Sequence, residues 1–196
     1  MSSYSRPLER GPKGAFTRHS ADPHTIVVHY TWATTSSMAD VVSWHNARGF
    51  NGTGYHVLVR KDGSLEYGRP LWARGAHVRG YNDRTLGIAF EGGRIPGDNQ
   101  NGHDTRTPAQ KVAMMRAIRD WKERYPTINK VVGHRDLVAT QCPGFDAAAW
   151  WAGTKSKPAP KGVPAITDDP NRSTEPGDVR GVKAFVAWLL SAIRGK

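Results

Sequence analysis

Three residues of this 196-residue chain could do uncommon chemistry together: His29, His134 and Cys142. His29 closes the β-branched run Thr25-Ile-Val-Val-His29, His134 follows Val131-Val-Gly, and Cys142 precedes Pro143-Gly144. Two imidazoles and a thiolate suffice for a catalytic zinc ion, which takes three protein ligands and keeps a fourth position for water. Such an ion brings the pKa of its water near ~7 and polarises a carbonyl. Cys142 is the only cysteine, so no intrachain disulfide accounts for it. Spacing alone leaves another reading open. Cys142 stands eight residues after His134, but His29 lies 105 residues upstream, and a lone cysteine is also a small buried hydrophobe.

The elements that must position these residues are legible as patterns. Residues 25–31 alternate and are β-branched, predicting a strand with Thr25, Val27 and His29 on one face and Ile26, Val28 and Tyr30 on the other. Met38 to Arg48 reads as a short helix closed by Gly49, with Val41, Val42, Trp44 and His45 toward the core. Gly54 to Arg60 reads as a strand, turned back by Lys61-Asp-Gly-Ser64 into a second one over Ser64 to Tyr67. Leu86 to Glu91 is another strand. Thr107-Pro-Ala-Gln110 opens a helix with a capping box and proline at its first position, and Val112, Met115, Ile118, Trp121 and Tyr125 line its inner side. Lys130 to Gly133 is a last strand that delivers His134, and Asp146 to Trp151 is a short closing helix. The fold class is therefore α/β: a single mixed central β-sheet flanked by helices. Residues 1–24 read as a loose lead-in, and 25–152 as the catalytic domain.

Beyond residue 152 the composition changes. Residues 153–178 hold five prolines and three glycines in a polar background, as linkers do. Residues 179–196 place Val182, Phe185, Val186, Leu189, Leu190 and Ile193 on one stripe of an amphipathic helix. That helix either docks on the domain or lies on an anionic membrane surface. The formal charge of +11 points to anionic partners, but the basic residues form no block of five or six, which argues against nucleic acid. The first residues lack the apolar core of a secretory signal, giving the expectation of a chain cytoplasmic when made.

His29-Tyr-Thr, Trp44-His45, Gly54-Tyr55-His56, Asp62-Gly63, Gly75-Ala-His77, Gly80-Tyr-Asn82, Leu86-Gly-Ile88, Gly133-His134-Arg-Asp136 and Cys142-Pro-Gly144 stand in an ordered series. The series resembles the zinc N-acetylmuramoyl-L-alanine amidases, both of the phage lysozyme type and of the peptidoglycan recognition proteins, over residues 25–151. The resemblance implies one zinc ion on His29, His134 and Cys142, with Tyr55 and Thr140 as catalytic partners. It implies His77 and Asn82 in the substrate groove, with Asn82 equally readable as a turn residue; Trp32 and Trp72 read either as walls for a sugar face or as plain packed or exposed tryptophans. His45 and His56 are expected to support the fold, and one of them could orient a ligand imidazole. Some relatives carry Glu where this chain has Ala89, and Lys where it has Thr140. Glu91, two residues on, is the weaker alternative base. The implied reaction is hydrolysis of the amide between N-acetylmuramic acid and L-alanine in peptidoglycan by a monomeric endolysin that reaches the wall after membrane passage. A non-catalytic peptidoglycan-binding protein and a cell-wall recycling amidase are the alternatives.

Overall fold

The computed structural model describes residues 4–154; the expected C-terminal helix and all but the first two residues of the expected linker lie outside them. Five strands form one sheet in the order β5-β4-β6-β3-β7. They are β3 (Thr25–Tyr30), β4 (Val57–Val59), β5 (Leu65–Tyr67), β6 (Thr85–Phe90) and β7 (Lys130–Gly133). β4, β6, β3 and β7 run parallel, and β5 returns antiparallel to β4 along one edge. The two central strands, Thr-Ile-Val-Val-His-Tyr and Thr-Leu-Gly-Ile-Ala-Phe, are apolar nearly throughout because both sheet faces are covered.

One face carries Ile26, Val28, Leu86, Ile88 and Phe90 against α2 (Pro108–Arg124) and α3 (Ala147–Ala152). The other carries Leu58 and Ala89 against Met38 and Val41 of α1 (Met38–Ala47). Residues alternate between the faces as the period of two requires. Burial of a side chain such as Ile118 or Met114, both fully enclosed, stabilises the fold by about 1.5–3 kcal/mol.

Both long helices start where their local chemistry dictates. Thr107 caps α2 by accepting from the Gln110 N–H, while the Gln110 side chain accepts from the Thr107 N–H. Gln110 then donates from Nε2 to the carbonyls of Val59 and Glu91, tying the helix start to the sheet. Ser37 and Asp40 make the same reciprocal cap on α1. Gly49, at φ 83°, turns the chain out of α1 in the left-handed region that glycine tolerates.

Several expectations need correction. The inner side of α2 is formed by Met114, Met115, Ile118 and Trp121, whereas Val112 is only half-buried. Trp44 is 41% exposed, not inward. The expected strand over 54–60 is reduced to β4, because Gly54 and Tyr55 turn to other partners, although the His56 N–H still bonds the Gly87 carbonyl of β6. The Gly54 N–H donates to His45 Nδ1, and a Cβ on Gly54 would sit 2.1 Å from the Ala76 carbonyl oxygen. Residues 4–24 are no loose lead-in. They form a small ladder of β1 (Arg10–Gly11) with β2 (Gly14–Ala15), and Phe16 is buried under the Arg69 guanidinium. The Leu8 N–H bonds the Gly68 carbonyl, and the Thr17 carbonyl accepts from the Arg74 N–H, so the segment is stitched to the domain.

Candidate active site

The parallel pairing of β3 with β7 brings two histidines side by side. Val28 is in register with Gly133, so the next residue of each strand, His29 and His134, emerges at the same carboxyl edge of the sheet. Their ring centroids are 4.6 Å apart. A 3₁₀ turn over His134–Asp136 follows, held by the Gly133 N–H donating to Asp136 Oδ2 at 2.7 Å. The Arg135 N–H donates to the Cys142 carbonyl at 2.7 Å, folding the Cys142 loop back onto that turn. Cys142 Sγ then accepts from the Tyr30 N–H at 3.4 Å and lies 3.8 Å from His29 Nδ1. One ligand atom from each of His29, His134 and Cys142 falls within 4.8 Å of the others.

The donors suit a cation. Burial holds the His29 pKa well below its usual value, aided by the neighbouring His77, His134 and His45, and burial also lowers that of His134. Both imidazoles therefore stay neutral with a lone pair to give. Burial pushes the Cys142 thiol up to about 12, against the opposing hydrogen bond from Tyr30. Among the described residues no cationic side chain offsets that burial, so a metal is the charge that would stabilise the thiolate. These three residues could hold one metal ion.

Around them lies a pocket of about 210 Å³. Tyr55, Thr140, His134 and Cys142 line it, with Tyr30, Trp32, Trp44 and Arg48 as further walls. The Tyr55 ring stands 5.1 Å from that of His29, and burial with the nearby Cys142 raises its phenol pKa above the ordinary value. Thr140 Oγ1 accepts from the Cys142 N–H at 3.3 Å, which leaves its own hydrogen for another acceptor. Trp32 has φ 58°, a left-handed conformation uncommon for a bulky residue and concentrated at functional sites.

Other expected site residues lie elsewhere. His77 is buried, 8% exposed, with its Nδ1 3.0 Å from His29 Nε2, so it sits behind the histidine rather than in the groove. Asn82 Oδ1 accepts from the N–H groups of His77 and Val78, which makes it a turn residue. Neither lines the pocket. Trp72 lines a separate small pocket with Arg18, His19 and Tyr125. His56 supports the fold: its Nδ1 accepts from the Gly87 N–H and its Nε2 donates to the Ala73 carbonyl. His77, not His45 or His56, is the imidazole in hydrogen-bond contact with His29. Sequence reasoning missed Tyr30, Trp44 and Arg48 as pocket walls. The spacing of Trp44, in the last turn of α1, and Arg48, its C-cap four residues on, was the available signal.

Glu91 is also off the groove. Its carboxylate accepts from the Ser36 and Lys61 N–H groups and from Arg60 Nε. A Glu91→Gln variant is expected to keep turnover within about twofold. It should lose about 1–3 kcal/mol of stability, because an amide NH₂ then meets donors. Parallel turnover and denaturant-midpoint measurements check this. Lost turnover at unchanged stability would return Glu91 to the catalytic site.

Residues 19–145 match the family described as N-acetylmuramoyl-L-alanine amidase. The chain belongs to this amidase family. The match spans every residue named above as lining the pocket beside His134 and Cys142. The amidase is 34% identical over 143 residues to the endolysin of Klebsiella phage KP32, covering 71% of this chain and 91% of that one. Among solved structures it resembles the Ph2119 endolysin of a Thermus scotoductus bacteriophage, with a TM-score of 0.60 at 27% identity, covering 72% of this chain and 90% of that one. It also resembles the amidase LysC of Clostridium intestinale, with a TM-score of 0.57 at 29% identity, covering 72% and 89%. The ladder of β1 with β2 precedes the matched span, yet it is stitched to the amidase domain as described above.

Proposed function

We propose that the chain is a zinc-dependent endolysin that hydrolyses the amide joining N-acetylmuramic acid to L-alanine in peptidoglycan. The observation that carries this reading is the convergence of His29, His134 and Cys142 beside a groove that His134 and Cys142 line together with Tyr55 and Thr140. His29 Nδ1, a ring nitrogen of His134 and Cys142 Sγ would hold the ion. When bound, zinc would supply a Lewis acid for the scissile carbonyl and activate water near neutral pH.

The chain's own residues supply the remaining requirements. Amide hydrolysis builds negative charge on the carbonyl oxygen and needs donors aimed at it. Tyr55 keeps its proton at neutral pH because its surroundings raise the phenol pKa, so Oη remains a donor toward that oxygen. Thr140 serves as a positioner, its Oγ1 held from one side by the Cys142 N–H and its hydrogen turned to substrate. It carries no cationic charge and is no acid. Trp32 and Trp44 offer flat apolar faces to a sugar ring, and Arg48 offers a cation to a stem-peptide carboxylate. Ala89 stands opposite His29 in the sheet register, leaving no carboxylate at that position.

Purified peptidoglycan incubated with the full chain, followed by mass spectrometry, tests the reading. Intact stem peptides with free L-alanine amino ends, lost with chelator and regained with zinc, are the expected products. Reducing sugar ends in their place would refute an amidase, and binding without any cleavage would leave only a peptidoglycan-binding protein.

A further inference from the structure

Behind the proposed metal site, a chain of four side-chain and backbone groups runs into the protein. His29 Nε2 lies 3.0 Å from His77 Nδ1. His77 Nε2 lies 3.4 Å from Thr85 Oγ1, and Thr85 Oγ1 donates to the Tyr81 carbonyl at 2.6 Å. The last group sets the direction of all the others. A carbonyl oxygen only accepts, so the single hydroxyl hydrogen of Thr85 points at Tyr81. Thr85 Oγ1 can then only accept from His77, which places the His77 hydrogen on Nε2. His77 Nδ1 is therefore bare and accepts from His29 Nε2–H. The remaining nitrogen, His29 Nδ1, is left with its lone pair, and it is the atom that faces Cys142 Sγ.

The ring of His77 is also fixed in place. A Cβ on Gly75 would sit 2.4 Å from His77 Cδ2, and a Cβ on Gly87 would sit 2.7 Å from His77 Cγ. Gly87 interrupts the otherwise apolar strand β6, and this close approach explains a residue that weakens strands elsewhere. The imidazole occupies space that any side chain at either glycine would fill.

We propose that His77 is a positioning residue that holds His29 in its Nε2-protonated tautomer, with Thr85 and the Tyr81 carbonyl setting the polarity of the relay. This rests on the reading of His29, His134 and Cys142 as the zinc site. Partners that fix the tautomer and orientation of a metal-binding imidazole typically raise metal affinity by about 10–100-fold. His77→Leu fills the space but offers no acceptor. His77→Asn can place its Oδ1 near the position of the lost Nδ1.

The test uses the full chain and zinc alone. Competition with a chromogenic chelator gives the zinc affinity, and melting of the zinc-free protein gives stability separately. His77→Leu is expected to bind zinc about 10–100-fold more weakly. His77→Asn is expected to recover most of that loss, and Thr85→Val to lose less than His77→Leu. Long-range ¹H–¹⁵N spectra of the zinc-loaded wild type are expected to show His29 protonated at Nε2. Wild-type affinity in His77→Leu, or equal losses in the Leu and Asn variants, would overturn the relay. A proton on His29 Nδ1 would also overturn it, even if His77→Leu failed to fold. Failure of the wild type to take up zinc would overturn the site reading and the relay together. Zinc uptake with an unchanged His77→Leu overturns the relay alone.

Discussion

Cys142→Ser is expected to lower amide hydrolysis by on the order of 10³-fold or more, well beyond the ~10–100-fold typical of losing a partner behind a ligand. The argument rests on what each atom can become. A thiol beside a divalent cation ionises and bonds through soft sulfur, whereas an alcohol holds its proton and is a poor ligand at neutral pH. Sγ lies 3.8 Å from His29 Nδ1 and receives the Tyr30 N–H, so the substitution acts at the centre of the donor set. The shorter serine side chain fits the same space, and the fold should survive. Zinc content by mass spectrometry, turnover on peptidoglycan, and melting of the metal-free protein separate the effects. Chelation of the wild type should reproduce the loss, with zinc restoring the wild type but not the variant. Full turnover by Cys142→Ser would refute a thiolate ligand.

Tyr55→Phe is expected to lower kcat by about 10²–10³-fold, the cost of removing one donor to a developing oxyanion, while KM changes little. Only the hydroxyl is lost. The ring keeps its packing 5.1 Å from His29 and 5.3 Å from His45, so stability should shift by no more than about 1 kcal/mol. Zinc affinity should be unchanged, because Tyr55 is not among the ligating atoms. This pattern distinguishes Tyr55 from Cys142, whose loss removes metal and activity together. Thr140 carries no charge and Ala89 no carboxylate, which concentrates proton donation on Tyr55. Turnover within about threefold of wild type would remove Tyr55 from the proposed chemistry.

Local patterns foretold much of this molecule. Thr107-Pro-Ala-Gln110 contains its own capping partners within four residues, so the start of α2 needs no tertiary information. The Asp62-Gly63 turn is similar: Gly63 takes φ 87° and Ser64 bonds Asp62 within the same turn. The phase of α2 was less legible. Met114 and Val112 both fit an apolar stripe, and only the sheet beneath selects the longer, fully buried Met114. Residues 4–24 look polar and loose, yet distant segments around residues 67–84 and 129–130 supply many of their backbone hydrogen bonds.

The candidate site divides in the same way. Sequence alone determined the donor types, the strand that carries His29, the strand that delivers His134 and the turn at Cys142-Pro-Gly. Those are properties of side-chain chemistry and short-range backbone preference. Tertiary structure alone decided that the three donors converge, because β3 and β7 become neighbours only through sheet pairing across more than 100 residues. It also decided which aromatic residues face the groove. Trp44 lines it and Trp72 does not, although nothing in their residue type separates them. His77 is the clearest case. Its partner His29 is 48 residues away, and its place is created by two glycines whose missing side chains no local pattern marks as room for an imidazole. Residue type sets what a group can do; the packing of distant segments sets which group it does it to.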